Sequence, residues 1–348
     1  MPNFYESVLR PTLFRFDPEL THAAASKALR LRSVGRALGG VTRSDPRLKV
    51  SVGSLELPGP IGLAPGFDKY GDLINGTSRL GFDYLVPGTI MARPQPSHRR
   101  RELARLVDER ALINCQGLPS NGTEYSARRI EQSRSPVPLI ISIGAHDKDG
   151  FVQGLSRMEP LATAVELNVQ CHNEEKGPLS EAGAMADLLT TVIGLAHKPI
   201  FLKINGYQSE ADRKQRLGLV EYAYSIGIRG FSATGTAMTR RDRRLAAGHG
   251  TVTGPPIREY TLRAIRDIWD ITEGKAMIRA RGGISTGADV YNAIAAGAAS
   301  VEVFTSFVYR GWSVARALRT ELLETMRLES VASLEDLRGS RRLVPVLT

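Results

Sequence analysis

From about residue 50 onward, short apolar runs with strand-like composition alternate with longer stretches in which apolar residues recur at helical spacing. This alternation limits the fold more than any other feature, because a strand followed by a helix returns the chain to a parallel neighbouring strand. Eight such units predict a closed (β/α)8 barrel, the TIM-barrel fold, in preference to an open doubly wound sheet. The eight apolar runs are Ile61–Ala64, Tyr84–Gly88, Leu139–Gly144, Ala164–Val169, Ile200–Ile204, Gly230–Thr234, Ala276–Arg281 and Ser300–Thr305.

The first 45 residues follow a different pattern and predict a small two-helix extension, so we divide the chain into residues 1–45 and a barrel domain of residues 46–348. Asp17-Pro18 has the composition of an N-cap and first helical residue. The helix that follows is expected to end near Gly35 or Gly39. Two interpretations stay open, a lid packed on the barrel or an amphipathic device for an anionic membrane surface. The arginines that suit the second are Arg30, Arg32, Arg36 and Arg43.

Composition restricts the classes of partner. Lysine and arginine outnumber aspartate and glutamate by 46 to 36, a net charge of +10, which indicates anionic partners. Aromatic residues make up only 6% and no nucleic-acid-binding motif is visible, so no nucleic acid partner is expected. There is neither an apolar run of about 18 residues nor a signal-peptide pattern. Two cysteines and six scattered histidines predict no disulfide framework, no metal site and a reducing, cytoplasmic location.

Polar residues follow most of the predicted strands, at the end of a (β/α)8 barrel where chemistry takes place. Gly282-Gly283 after the seventh strand and Thr305-Ser306 after the eighth predict a phosphate site, because backbone N–H groups of such turns point at an anion. Arg279 and Arg281 share one face of the seventh strand and need an anion or a carboxylate partner. We expect Arg281 to lie near the phosphate.

Two residues at strand ends are candidates for catalysis. Lys203 lies in an apolar strand and must be paired or face an electron-rich ligand. It could stabilise a reduced, anionic flavin, form the Schiff base of an aldolase, or make a salt bridge in the core. Cys171 is flanked by Asn168, His172 and Asn173, where a thiolate could remove a proton from carbon and His172 could lower its pKa. A buried structural cysteine is the alternative.

Several segments, taken together and in order, resemble the class 2, membrane-associated dihydroorotate dehydrogenases over nearly the whole chain. The N-terminal segment distinguishes this class from the shorter soluble classes. The segments are Phe14 to Glu19 with His22, Gly62 to Lys69, Gly88-Thr89 with Arg93 to Pro96, Leu112 to Asn114, Asn168 to Asn173, Leu202 to Ile204, Gly282 to Ile284 and Ala295 to Ala298.

The resemblance implies a barrel with FMN at its mouth, a flat anionic substrate stacked on the flavin, and oxidation of dihydroorotate to orotate in pyrimidine biosynthesis. It implies hydride transfer to flavin N5 with Cys171 as base beside Lys203 and His172, and quinone as acceptor at the inner face of the membrane. The flavin-contacting positions are Ala64, Gly66, Lys69, Thr89, Asn168, Lys203, Thr234, Gly254, Gly282, Gly283, Thr305 and Ser306. The substrate-contacting positions are Lys69, Asn114, Gly117, Asn168, Asn173 and Thr236.

The chain departs from the family pattern at several of these positions. Cys171 stands where class 2 enzymes have serine, and Gly235 stands where the family has a substrate-facing asparagine. Glu102 and Phe304 stand where we place the arginine and tyrosine of the quinone tunnel. We therefore expect an altered pocket and tunnel. The same flavin chemistry on another small carboxylate-bearing ring in a specialised pathway, a phosphate-binding isomerase or aldolase, and a binding protein without turnover are the alternatives.

Overall fold

A closed barrel of parallel strands forms the body of the molecule. The computed structural model describes residues 4–39, 45–52, 54–97, 101–169, 182–235 and 237–346. The barrel strands lie within the eight predicted apolar runs, except that the second is split in two and extends to Met91. They are β1 (Ile61–Leu63), β2 (Tyr84–Leu85 and Ile90–Met91), β3 (Ile140–Gly144), β4 (Ala164–Leu167), β5 (Ile200–Ile204), β6 (Gly230–Thr234), β7 (Met277–Arg281) and β8 (Ser300–Val303).

The pairing of the strands closes the barrel. The first segment of β2 pairs with β1, its second segment pairs with β3, and β8 pairs with β1, all in parallel. Pro87 lies between the two segments of β2, and its carbonyl accepts from the amide of Ser142 in β3 at 3.0 Å. Fully buried side chains such as Ile61, Phe201 and Ile278 fill the core. The predicted (β/α)8 fold is confirmed.

Helices cover the outside of the barrel. One of them, Gly287–Ala295, begins at a capping box in which the Thr286 hydroxyl accepts from the amide of Asp289 while the Asp289 carboxylate accepts from the amide of Thr286. The helices are Ile74–Thr77, Thr123–Glu131, Lys148–Met158, Ala182–Leu195, Glu210–Ser225, Arg258–Ile271, Gly287–Ala295, Thr305–Arg310, Val314–Leu328 and Leu334–Leu337, with short 3-10 turns at Pro46–Leu48, Glu159–Leu161 and Pro255–Ile257.

Within the described residues, three small antiparallel sheets accompany the barrel, and the alternation in the sequence did not predict them. The largest has four strands in the order Met238–Arg241, His249–Thr253, Ala111–Asn114 and Leu103–Leu106, and it places Asn114 opposite Thr251. The others are a hairpin of Val50–Val52 with Leu55–Leu57 and a pair of Pro94–Gln95 with Ser120–Asn121.

The N-terminal extension packs on the barrel. Its elements are a π-helical turn at Tyr5–Leu9 and helices at Arg10–Leu13, Pro18–Leu29 and Arg32–Leu38. Asp17 caps the second helix as predicted, since its carboxylate accepts from the amides of Glu19 and Leu20. The prediction of a single helix as far as Gly35 or Gly39 was wrong, because the helix is interrupted at Arg30 and Leu31 and a second helix begins at Arg32. Among the described residues, no helix has both the length and the apolar content needed to cross a membrane.

Candidate active site

A cavity of about 190 Å³ opens at the carboxyl ends of the barrel strands. Residues from the strand ends and from the four-stranded antiparallel sheet line it together. Those predicted from the sequence and found in its wall are Ala64, Gly66, Lys69, Thr89, Asn114, Gly117, Asn168, Lys203, Gly235, Gly254, Gly282, Gly283 and Thr305.

Lys69 provides a partly buried cation at one side of this cavity. Its ammonium donates to the carbonyl of Gly66 at 2.8 Å. Burial lowers the pKa of Lys69 to about 8, although the negative charges of Glu102 and Asp68 oppose this change. Burial likewise raises the pKa of Asp68 to about 6, against the amide hydrogen bonds from Leu73 and Asp72. A partly buried ammonium that faces the cavity is suited to an anionic group such as a carboxylate.

A second polar group connects three strand ends. The amide nitrogen of Asn168 donates to the Thr89 hydroxyl at 2.8 Å, and the ammonium of Lys203 donates to the amide oxygen of Asn168 at 3.2 Å. The Thr89 hydroxyl is in turn hydrogen-bonded to the hydroxyl of Ser142 at 3.1 Å. Lys203 is therefore oriented towards the cavity by Asn168, in a position where its positive charge can face a bound electron-rich ring.

The glycine-rich corner of the cavity is closely packed at two positions where the backbone has a positive φ. Gly283 has φ +79°, and a Cβ there would lie 2.4 Å from the Cα of Arg258. At Gly254, with φ +106°, a Cβ would lie 2.9 Å from Cγ2 of Thr305. The hydroxyl of Ser306 is buried and has no hydrogen-bond partner among the described residues. An anion accepting from this hydroxyl and from nearby amides would satisfy it.

Arg281 lies in the wall of the cavity beside Gly282 and Gly283, and its charge is already paired with carboxylates there; its nearness to a phosphate stays a prediction. Its guanidinium donates to Glu302 at 2.7 Å and to Glu166 at 2.5 Å, and Arg279 pairs with the same two carboxylates. Burial alone raises the pKa of Glu166, but Arg281 and Arg279 outweigh it and hold that pKa well below its usual range. Of the two kinds of partner that the sequence left open for these arginines, an anion or a carboxylate, the structure shows carboxylates for both.

Several predicted residues do not contribute to the described cavity wall, and Ser306 is one of them, although the adjacent Thr305 lines it. The Thr234 hydroxyl is 3.1 Å from that of Thr261 and 3.3 Å from the carbonyl of Arg281, so it is already engaged. Cys171, His172, Asn173 and Thr236 lie outside the described residues, and their roles stay predictions.

A second cavity, also of about 190 Å³ but mostly apolar, lies between the extension and the barrel. Leu103, Leu112 and Phe304 line both cavities. His22 lies in its wall, with its ring 5.4 Å from that of Phe67, and burial followed by the charge of Lys69 lowers the pKa of His22 to about 4.

An arginine, Arg105, lies in the wall of this apolar cavity, whereas Glu102, the position that the sequence suggested for the tunnel arginine, is not among the residues that line it. Its guanidinium lies 4.4 Å from the centre of the Phe14 ring and donates to the carbonyl of Phe16 at 2.7 Å. The backbone amide of Glu102 instead donates to the Glu19 carboxylate at 2.5 Å. The two-residue period of a strand, which puts Leu103 and Arg105 on one face, was the signal that could have identified it.

Comparison with known proteins agrees with this geometry. A family model described as dihydroorotate dehydrogenase matches residues 47–326. A relative from Roseiflexus sp. (strain RS-1), named dihydroorotate dehydrogenase (quinone), is 32% identical, with 96% of this chain and 97% of the relative covered. One of the same name from Thermus thermophilus is also 32% identical, over 94% and 98%. The chain belongs to the dihydroorotate dehydrogenase family.

Solved structures agree with this assignment. The ligand-free dihydroorotate dehydrogenase from Eimeria tenella superposes with a TM-score of 0.84 at 26% identity, covering 94% of this chain and all of that one. A ferulenol complex of the Eimeria enzyme superposes with a TM-score of 0.82 at 25% identity, covering 93% and 95%. The resemblance to the quinone-type class drawn from the sequence is confirmed, and these relatives give no support to a different ring acid as substrate or to an aldolase role for Lys203.

Proposed function

We propose that this protein oxidises dihydroorotate to orotate, a step of pyrimidine biosynthesis, with FMN as its cofactor. The observation that supports this most is the meeting, in one cavity, of a partly buried ammonium at Lys69, the Asn168–Lys203 pair and the glycine-rich corner. The ammonium suits a carboxylate, the Asn168–Lys203 pair suits an electron-accepting ring, and the glycine-rich corner suits a phosphate.

The residues present fit FMN. Gly254, Gly283 and Thr305, with the unpartnered hydroxyl of Ser306, would hold its phosphate. Lys203, oriented by Asn168, would place a positive charge where a reduced ring is anionic. FMN, when bound, supplies the acceptor for the two electrons that leave the substrate as a hydride.

The chain's own residues would bind and orient the substrate and remove a proton. Lys69, Asn114 and the backbone at Gly117, which line the cavity, would hold the carboxylate, and the side-chain amide of Asn114 donates to the carbonyl of Thr251 at 3.4 Å. We assign to Cys171 the removal of a proton from the carbon next to the one that loses hydride. Losing one proton and one hydride from neighbouring carbons leaves the double bond of orotate.

Anaerobic addition of dihydroorotate to the purified yellow protein tests the reaction. We expect the flavin absorbance to bleach and one orotate to form per flavin. Cys171→Ala should retain FMN but slow bleaching by about 100-fold or more. Failure of the unmodified protein to bleach would refute the proposed substrate, whereas normal bleaching in Cys171→Ala would refute only the base.

We also propose that a quinone accepts the electrons, bound in the apolar cavity with Arg105 as its polar contact. The cavity shares Phe304 and Leu112 with the active-site cavity, so the two sites are neighbours. Arg105→Met should raise the KM for a short-chain quinone about tenfold, because a charged hydrogen bond is lost. Anaerobic bleaching by dihydroorotate in the same variant is the control and should not change. An unchanged quinone KM would contradict this assignment.

The surface of the extension suits a peripheral position on an anionic membrane. Phe4, Phe16 and Leu20 are more than half exposed. Arg32 and Arg36 lie close enough to other arginines that the charges of Arg79 and Arg36 lower the pKa of Arg32. Clusters of exposed cations beside exposed apolar groups favour acidic lipid surfaces. A location at the inner face of the cell membrane follows from this proposal.

Sedimentation with vesicles that contain phosphatidylserine tests the membrane proposal. Replacing Arg32 and Arg36 by glutamine should weaken binding roughly fivefold per arginine at low salt. Arg327→Gln is the matched control, because Arg327 is as exposed but pairs with Glu324 on the helix Val314–Leu328. Equal binding of all these proteins would count against the membrane surface.

A further inference from the structure

Asp72 is a buried carboxylate at which three parts of the molecule meet. Its side chain is only 3% exposed. It accepts from Arg30 of the extension at 2.7 Å, from Arg129 of the helix Thr123–Glu131 at 2.7 Å, and from the hydroxyl of Tyr125 at 3.2 Å. A buried carboxylate with two arginine partners holds those elements in a defined relation.

Asp72 is also tied to the loop that bears Lys69. The amides of Asp72 and Leu73 donate to the two oxygens of Asp68, each at 2.9 Å, and Asp68 immediately precedes Lys69. Gly71, with φ +77°, lies so close to the helix Thr123–Glu131 that a Cβ would be 2.7 Å from Ile130. A displacement of Asp72 therefore moves a short, tightly held loop, and Lys69 moves with it.

The extension also packs against the turn at Gly76, through the residues where its helices Pro18–Leu29 and Arg32–Leu38 meet. The carbonyl of Leu29 lies 2.1 Å from where a Cβ of Gly76 would be, and a Cβ at Gly35 would lie 2.4 Å from the carbonyl of Gly76. The residues on either side of Arg30 are thus seated on the turn that follows the Lys69 loop. Leu29 and Val34 also line the apolar cavity, so this contact lies between that cavity and the turn that follows the Lys69 loop.

We propose that Asp72 is a positioning residue which, through Arg30, links the extension to the loop of Lys69 and sets where the substrate-binding ammonium lies. The proposal rests on the proposed function, since it assigns Lys69 to the substrate carboxylate. The link through Asp72 would give the extension a part in substrate binding, in addition to lining the apolar cavity.

Arg30→Met is the test variant, because Arg30 belongs to the extension and touches neither cavity. A displaced Lys69 weakens the ground state and the transition state alike, so KM rises while kcat stays constant. We expect the Kd of orotate, measured by its perturbation of the flavin spectrum, and the KM of dihydroorotate to rise about fivefold. Half of the Arg30 side chain is exposed, which limits the effect.

Two matched variants separate positioning from mere stability. Arg30→Lys should restore most of the affinity. Arg129→Met removes the other charged partner of Asp72 but leaves the link to the extension, and should change the Kd of orotate less than twofold. Equal losses in Arg30→Met and Arg129→Met, or a loss that follows the FMN content or the Tm, would overturn the proposal.

A readout without substrate keeps this test apart from that of the proposed function. Acetylation of Lys69 by acetic anhydride at pH 8, followed by peptide mass spectrometry, reports how accessible and how basic its amine is. We expect about fivefold faster labelling in Arg30→Met and no change in Arg129→Met. An unchanged rate in both refutes the positioning role, whether or not dihydroorotate proves to be the substrate.

Discussion

Raising the pH should release a carboxylate substrate from Lys69. Burial lowers the pKa of this ammonium to about 8, and Glu102 and Asp68 only partly oppose the change. At pH 7 about 90% of Lys69 carries its charge, and at pH 9 about 10% does, if the titration is that of a single group. Since the neutral amine cannot pair with the carboxylate, affinity for orotate should fall about tenfold between these values, or about 1.4 kcal/mol.

Orotate titrations of the FMN-bound protein, followed by flavin absorbance from pH 6.5 to 9.5, measure this equilibrium without involving the catalytic base. Lys69→Arg is the matched variant, because a guanidinium stays charged over the whole range. The Kd of orotate for this variant should be higher than for the unmodified protein but independent of pH. A flat profile in the unmodified protein, or the same fall in Lys69→Arg, would refute the assignment of the ammonium to the carboxylate.

The same pKa has a consequence for stability with a defined sign. The folded protein holds the proton of Lys69 less tightly than the unfolded chain, whose lysine titrates near 10.5. Burial of the charge therefore opposes folding below about pH 8, and the penalty disappears as the pH rises towards 10.5. Lys69→Met should accordingly raise the Tm at pH 7 while it abolishes tight orotate binding.

Two further substitutions test the interior and the phosphate corner. Arg279→Met would leave Glu166 and Glu302 with one arginine instead of two, which should cost about 3–5 kcal/mol and lower the urea midpoint; an unchanged midpoint would contradict the ion-pair account. Gly283→Ala would force a Cβ against the backbone of residue 258 and should yield protein without FMN, whereas the exposed helical Gly218→Ala, which meets no atom within 4 Å, should retain it and gain a few tenths of a kcal/mol. Full FMN content in Gly283→Ala would remove the corner as the phosphate site.

Much of the fold could be predicted because it depends on local patterns. Each barrel strand lies within a run of apolar residues that the sequence marks, and the cap at Asp17 follows from two neighbouring residues. The helix break at Arg30 could not be predicted in this way. It depends on the carboxylate of Asp72 and on the close approach to Gly76, both of which come from a distant part of the chain.

The residues of the candidate site also divide into those that local sequence patterns identify and those that depend on contacts between distant parts of the chain. The sequence identified Asn168, Lys203 and the glycines of the corner, because strand ends of a barrel converge wherever the strands are found. Lys69 entered only through the family resemblance, since its position in a loop after Asp68 by itself indicates no more than a surface ion pair. It could not tell whether Arg281 faces a ligand or a carboxylate. Its partners Glu166 and Glu302 are on two other strands, and only the register of the closed sheet decides which side chains are adjacent.

The sequence by itself thus determined the eight strand-helix units, the polar rim at their ends and the family resemblance, since these depend on the order and type of neighbouring residues. Only the tertiary structure decided that Arg105 lines the apolar cavity, that Asn114 reaches the barrel mouth on an antiparallel sheet, and that Asp72 joins the extension to the Lys69 loop. Each of these depends on contacts between side chains far apart in the chain, which are fixed by packing and strand register rather than by local propensity.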